Sequence, residues 1–228
     1  MKKYLLLAFI AVCIGIIIPC KTVYATDITI GATSWYAWWG GDKPVEKIDP
    51  AFLYGPALSV KFNNDYNLTF VYLYGKHDCE GSGFKFKMKR NDADLALNYR
   101  LNDYFKIFGG MKYVGLSNLL MDWYGVGPGL GLSATVPLAD SLFLLATASG
   151  FHLWTTEEGE DSGVKETEKS KGYGFNSTLS LAYYISSAST TISLGGRYQY
   201  IKPNYPEEGS ANASVYGVTL TATYSFSI

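Results

Sequence analysis

The final stretch of the chain alternates apolar and small polar residues without a break. Tyr216, Val218, Leu220, Ala222, Tyr224, Phe226 and Ile228 are separated by Gly217, Thr219, Thr221, Thr223, Ser225 and Ser227. Successive side chains of a β-strand point to opposite faces, so this segment has one apolar face and one small polar face. Thirteen residues is long for a strand of a soluble sandwich. It suits a strand that crosses hydrocarbon at a tilt.

The pattern recurs upstream. One face carries Tyr54, Pro56, Leu58, Val60 and Phe62, and the next Leu68, Phe70, Tyr72 and Tyr74. Ala93, Leu95, Leu97, Tyr99 and Leu101 follow, then Phe105, Ile107, Gly109, Met111 and Tyr113. Later faces run from Tyr124 to Val136, from Tyr173 to Ile185 and from Ile192 to Tyr200. With strands over 28–38 and near 142–154, the last of open facing, the count is ten. Register provides a test, because paired residues must share a face. A turn at Asn63-Asn64-Asp65 sets Val60 against Leu68, Leu58 against Phe70 and Pro56 against Tyr72. One at Asn102-Asp103-Tyr104 sets Leu101 against Phe105, Tyr99 against Ile107 and Leu95 against Met111. One at 186–189 sets Tyr183 against Ile192 and Leu181 against Leu194. Short connections, also including 137–141, alternate with long ones near 40–51, 75–91, 114–122, 155–171 and 201–214.

Composition agrees with a wall that faces lipid. Hydrophobic residues make up 48% of the 228, charged residues 17% and aromatics 16%, with 19 Tyr and 24 Gly. A water-soluble chain with so few charges would struggle to cover its surface. A soluble barrel of lipocalin type would also carry its charges outside and its apolar residues within, the reverse of this alternation. After residue 25 no apolar run is long enough for a membrane helix, so any crossing is made by strands. Residues 1–25 read as a cleaved signal peptide. Lys2 and Lys3 precede an apolar run over 4–18, and Val23-Tyr24-Ala25 supplies the cleavage site. Its removal takes three lysines and no acid, leaving 16 basic residues against 20 acidic ones. A concentrated basic footprint is missing, which excludes nucleic acid as a partner. Cys13 and Cys20 leave as well, so the remaining Cys79 can form no internal disulfide.

The signal segment, the strand Tyr124-Gly125-Val126-Gly127-Pro128-Gly129-Leu130-Gly131-Leu132 and the ending Tyr224-Ser225-Phe226-Ser227-Ile228 resemble the bacterial outer-membrane β-barrel superfamily. The likeness is to its small opacity-type and porin-like proteins. The resemblance implies a single all-β domain over 26–228, an antiparallel up-and-down transmembrane β-barrel of about ten strands, with short turns periplasmic. It implies a place in the bacterial outer membrane, contact with outer-membrane lipid and lipopolysaccharide, and insertion by the barrel-insertion machinery. Tyr224, Phe226 and Ile228 stand where that machinery reads a C-terminal signal. Members commonly end in Phe, and Ile228 departs from this.

Candidate chemistry lies inside the barrel and in the loops. The register sets Asp94 opposite Lys112 and Arg100 opposite Lys106 on the lumen face, and Arg197 points inward from a later strand. These charges form either a constriction that selects a solute or ion pairs that fill a narrow interior, and filling is usual in small barrels. Gly125, Gly127, Gly129 and Gly131 face inward too, widening a passage or admitting bulky side chains from elsewhere. Trp35, Tyr36, Trp38, Trp39 and Trp154 are expected to form an interfacial aromatic belt. Loop 75–91 is basic and loop 155–171 acidic. A hydrolytic site needs a His with a carboxylate in reach. His77 adjoins Asp78 in a loop and His152 lies near Trp154 at a strand end. No motif of the barrel proteases or lipid A deacylases is recognised, and neither a cofactor nor a metal is implied. The expectation is a non-enzymatic barrel, porin-like or with a structural surface role. Its rivals are a rim hydrolase acting on lipid or peptide, and an adhesion or ligand-binding barrel working through its loops.

Overall fold

The computed structural model describes residues 26–41, 45–81, 83–118, 121–161, 164–204 and 212–227. The expected signal peptide, 1–25, and Ile228 lie outside the described residues. The strands are β1 (Asp27–Gly41), β2 (Lys47–Ile48), β3 (Ala51–Lys61), β4 (Tyr66–Gly81), β5 (Phe84–Arg100) and β6 (Phe105–Ser117). They continue with β7 (Met121–Ala139), β8 (Leu142–Asp161), β9 (Val164–Ile185), β10 (Thr190–Asn204) and β11 (Ala213–Ser227). All pair antiparallel. Each long strand joins its sequence neighbour, and β1 with β11 closes the ring. Ten long strands therefore make a closed up-and-down barrel. The two-residue β2 is a strap that pairs with the end of β4, Lys47 with Glu80 and Ile48 with Cys79.

The hairpin registers follow the apolar alternation. Val60 pairs with Leu68, Leu58 with Phe70, Tyr99 with Ile107, Leu95 with Met111, Tyr183 with Ile192 and Leu181 with Leu194. Around Pro56 the ladder lapses, because proline has no N–H to give, and resumes in the same register at Tyr54–Tyr74. Asparagine builds both early turns the same way. The Asn63 side-chain oxygen accepts from the backbone N–H of Asp65 and Tyr66, and Asn102 accepts from Tyr104 and Phe105, all at 2.8–2.9 Å.

Two expectations change. The segments 75–91 and 155–171 are not loops: β4 and β5 pair as far as Gly81–Phe84, and β8 and β9 as far as Asp161–Val164. Beyond the lipid band a strand no longer needs an apolar face, so pairing continues after the hydrophobic signal stops. The open facing of 142–154 is settled by a bulge. Val136 pairs with Leu144 but Ala139 with Leu142, so Leu138 is an extra residue that defeats a count by twos. His152 and Trp154 consequently lie on the outer face, edge to face at 5.8 Å.

The outer wall is apolar. Leu130, Leu179, Leu194 and Leu220 are 50–62% exposed, on a scale that only a lipid-facing surface tolerates. The interior divides into two halves. Near the short turns it is lined by hydroxyl pairs, Thr29–Ser225 at 2.9 Å, Thr33–Thr221 at 2.7 Å and Thr147–Thr178 at 2.6 Å. Toward the long hairpins it is filled by two apolar clusters. One holds Trp35, Trp39, Leu53, Leu73 and Met88 beneath Ile48 of the strap. The other holds Val114, Trp123, Phe151, Leu153 and Ile201. Inward glycines make the room: a Cβ on Gly131 would collide with the Phe108 ring and the Ala148 carbonyl, and one on Gly174 with the Phe151 ring. Gly131→Val is therefore expected to cost about 1–3 kcal/mol, read as a lower urea midpoint of the protein in detergent. An unchanged midpoint would show that Phe108 does not need that space.

Candidate functional site: a charge network across the lumen

The interior alternation of β5 places Arg90, Asp92, Asp94 and Asn98 on one inward row. Facing them from β10 are Arg197 and Gln199, also an inward pair two residues apart. Around the ring β5 and β10 stand five strands apart in either direction, so they are opposite walls. Their side chains nevertheless meet. Arg197 Nη2 donates to Asp92 Oδ1 at 3.0 Å and to Asp94 Oδ2 at 3.3 Å. From the other side, the Arg90 guanidinium donates to the Gln199 side-chain oxygen and, at 3.3 Å, to Asp92.

Neighbouring strands complete the cluster. Lys112 of β6 donates to Asp92 and, at 2.9 Å, to Asp94. Asn176 of β9 accepts from Arg197 Nε at 3.3 Å. Trp35 of β1 receives both guanidinium groups on its ring, Arg197 at 4.6 Å and Arg90 at 5.5 Å from the centroid. Arg90, Asp92, Lys112, Arg197 and Gln199 are all buried. Asp92 thus accepts from three cations while exposed to almost no solvent. Such a charge is tolerable only because it is neutralised and hydrogen-bonded on every side.

Of the lumen charges picked out from sequence, the structure brings together Asp94, Lys112 and Arg197. Arg100 and Lys106 stand apart, at the short-turn mouth. There they line a cavity of about 350 Å³ with Asp27, Ser59, Lys61 and Asn67, and Arg100 pairs with Asp103 of its own turn. Sequence reasoning missed Arg90, Asp92 and Gln199. Arg90 falls within the expected basic loop 75–91, yet the two-residue steps from Arg90 to Asp92 to Asp94 carry the signal. The aromatic belt needs correction as well. Tyr36, Trp38 and Trp154 face outward, whereas Trp35 and Trp39 are buried in the lumen, because residues of opposite parity on one strand cannot share a face. Tyr224 and Phe226 stack on the outer face at 6.0 Å.

Above the network, His77 fixes the strap. Its neighbours on the outer face, Lys76 and Asp78, stand beyond the last aromatic step, so it lies outside the lipid band. Its Nδ1 is 3.0 Å from the Asp49 carbonyl, at the end of β2, its ring meets Trp39 edge-on at 6.1 Å, and among the described residues Nε2 has no partner. Burial pushes its pKa below the ordinary 6.5, helped by the Arg90 charge and opposed by the Asp49 bond and Asp78.

Two outcomes follow. Asp92→Ala takes from Arg90 its carboxylate and leaves Lys112 and Arg197 to share Asp94. It should cost about 3–5 kcal/mol, more than Lys112→Ala, which leaves Asp92 two partners. Equal midpoints for the two variants in urea unfolding would refute the central place of Asp92. For His77 the unfolded chain binds the proton first. Its contribution is thus complete above pH 6.5 and declines as pH falls through that value toward the lower folded one. Thermal melts between pH 8 and 5 should show a loss that His77→Gln removes.

No family model and no curated protein matches the sequence. Among solved structures, the outer membrane protease OmpT from Escherichia coli superposes with a TM-score of 0.56 at 10% identity, covering 92% of this chain and 99% of that one. The outer membrane protein AlkL gives 0.46 at 14% identity, covering 92% and 95%. Neisserial surface protein A gives 0.42 at 15%, covering 87% and 97%. The superposition on OmpT, end to end at so low an identity, is a likeness of fold alone: the chain has the architecture of the outer-membrane β-barrels.

Proposed function

We propose that this chain is a non-enzymatic protein of the bacterial outer membrane, with a structural or surface role and a lumen closed by its own side chains. The observation that carries this reading is the contact of Arg197 with Asp92 and Asp94 from opposite walls. A ring bridged across its diameter, with apolar clusters packed above the bridge, leaves no continuous aqueous path. The cavity at Arg100 and Lys106 is in this reading a vestibule with a floor, open to the periplasm. The hairpins β4–β5 and β8–β9 rise beyond the lipid band on the other side and offer the surface that meets the cell's exterior. The histidines favour the absence of catalysis: His77 is sealed against a backbone carbonyl and an indole, and His152 lies on the outer wall beside Trp154.

Planar-bilayer recording tests the proposal. Inserted protein should give no discrete conductance steps, and neither should Arg100→Ala, since Arg100 lies below the closure. Regular steps from the unaltered protein would restore the porin-like reading and make the network a gate.

A further inference from the structure

The outer face of the β4–β5 hairpin changes character in a fixed order. Moving away from the short turns, the cross-strand pairs are Leu68–Leu97, Phe70–Leu95, Tyr72–Ala93 and Tyr74–Asn91. Next comes Lys76–Lys89, then Asp78–Lys87 and Glu80–Lys85. The ladder therefore passes from apolar pairs through aromatic ones to a pair of like charges, and only then to pairs of opposite charge. Directly opposed side chains on antiparallel strands have Cβ atoms about 5 Å apart, and like charges at such positions destabilise the sheet. Lys76 and Lys89 are both exposed. Among the described residues neither forms an ion pair, whereas the next lysine, Lys87, reaches Asp78 at 3.5 Å.

Position gives this pair its meaning. It stands one step beyond Tyr74, and the outward rings of Phe52 and Tyr54 on β3 flank that step, Tyr54 pairing directly with Tyr74. Tyrosine rings collect where hydrocarbon gives way to headgroups, with the ring in apolar surroundings and the hydroxyl in the polar layer. The Lys76 and Lys89 ammonium groups consequently sit at headgroup depth, on the wall that faces lipid. An anionic group held between them turns the repulsion into two attractions, and at this depth phosphate is the chemistry that fits.

We propose that Lys76 and Lys89 clamp a phosphate of an outer-leaflet glycolipid headgroup, with Phe52, Tyr54 and Tyr74 against the start of its acyl chains. The proposal rests on the reading that the barrel spans a membrane with its long hairpins outside. It makes the lipid a bound partner at one sector of the wall rather than a uniform solvent. Asp78 and Glu80, one and two steps further out, limit the site on that side.

The test uses the full chain purified from cell envelopes in a zwitterionic detergent. Thermal unfolding is followed alone, with diphosphorylated lipid A, with the same lipid dephosphorylated, and with inorganic phosphate. Diphosphorylated lipid A should raise the midpoint of the unaltered protein, and the other two additions should not. The double variant Lys76→Gln, Lys89→Gln should be at least as stable as the parent in detergent alone, because the repulsion is gone, but should no longer respond to the lipid. Its retention of the lipid in native mass spectra should fall roughly tenfold or more, as expected from about 1 kcal/mol per lysine at a membrane surface. Lys87→Gln should still respond. An equal response from the double variant, an equal effect of the dephosphorylated lipid, or full reproduction by inorganic phosphate would each overturn the clamp. Insertion into neutral lipid vesicles is scored separately. Failure to insert removes the membrane reading and the clamp together, while insertion without lipid discrimination removes only the clamp.

Discussion

Every backbone N–H and C=O in a lipid-facing wall has to be paired within the protein, because hydrocarbon offers no substitute for water. That requirement accounts for the closed ring. β1 and β11, the first and last strands of the described residues, pair over fifteen positions from Asp27–Ser227 to Gly41–Ala213, so among those residues the ring has no open edge. Once the ring closes, each residue is committed to one of two environments by its parity alone. The small polar face of β11 lines the interior because its apolar partners need the outside.

Parity also governs the interior. Arg90, Asp92 and Asp94 share a row because they are spaced by two, and Arg197 and Gln199 share the facing row for the same reason. The cluster they form is costly to desolvate and is held by the ion pairs that converge on Asp92 and Asp94. It replaces what a soluble protein would place at its centre, since the best apolar residues are needed on the outer wall. The apolar clusters around Trp35 and Trp123 begin at the level of the network, where Leu73 and Val114 flank Asp92, and extend from there toward the long hairpins.

Much of this was legible in the sequence, because a membrane wall writes its environment into alternate residues. The strand count, the hairpin registers and the inward facing of Asp94, Lys112 and Arg197 all come from period two and short turns. The rest was hidden where that code lapses. At 75–91 the outer face of the hairpin carries charge instead of apolar residues, so paired strand reads as charged loop and Arg90 is hidden with it. At Leu138 a bulge shifts the count by one and left the facing of His152 open. Trp35 and Trp39 were grouped with Tyr36 and Trp38 by composition, although the same parity rule separates them. The meeting of β5 with β10 depends on distance across the ring, which no local pattern records.

On the proposed reading, the division of the interior into an open half and a stoppered half makes the molecule a cup rather than a pipe. A pipe in a membrane leaks in proportion to its copy number, which a cell must regulate. A cup adds wall area and exterior surface at no cost in permeability. A barrier built from many such molecules stays as tight as one built from few.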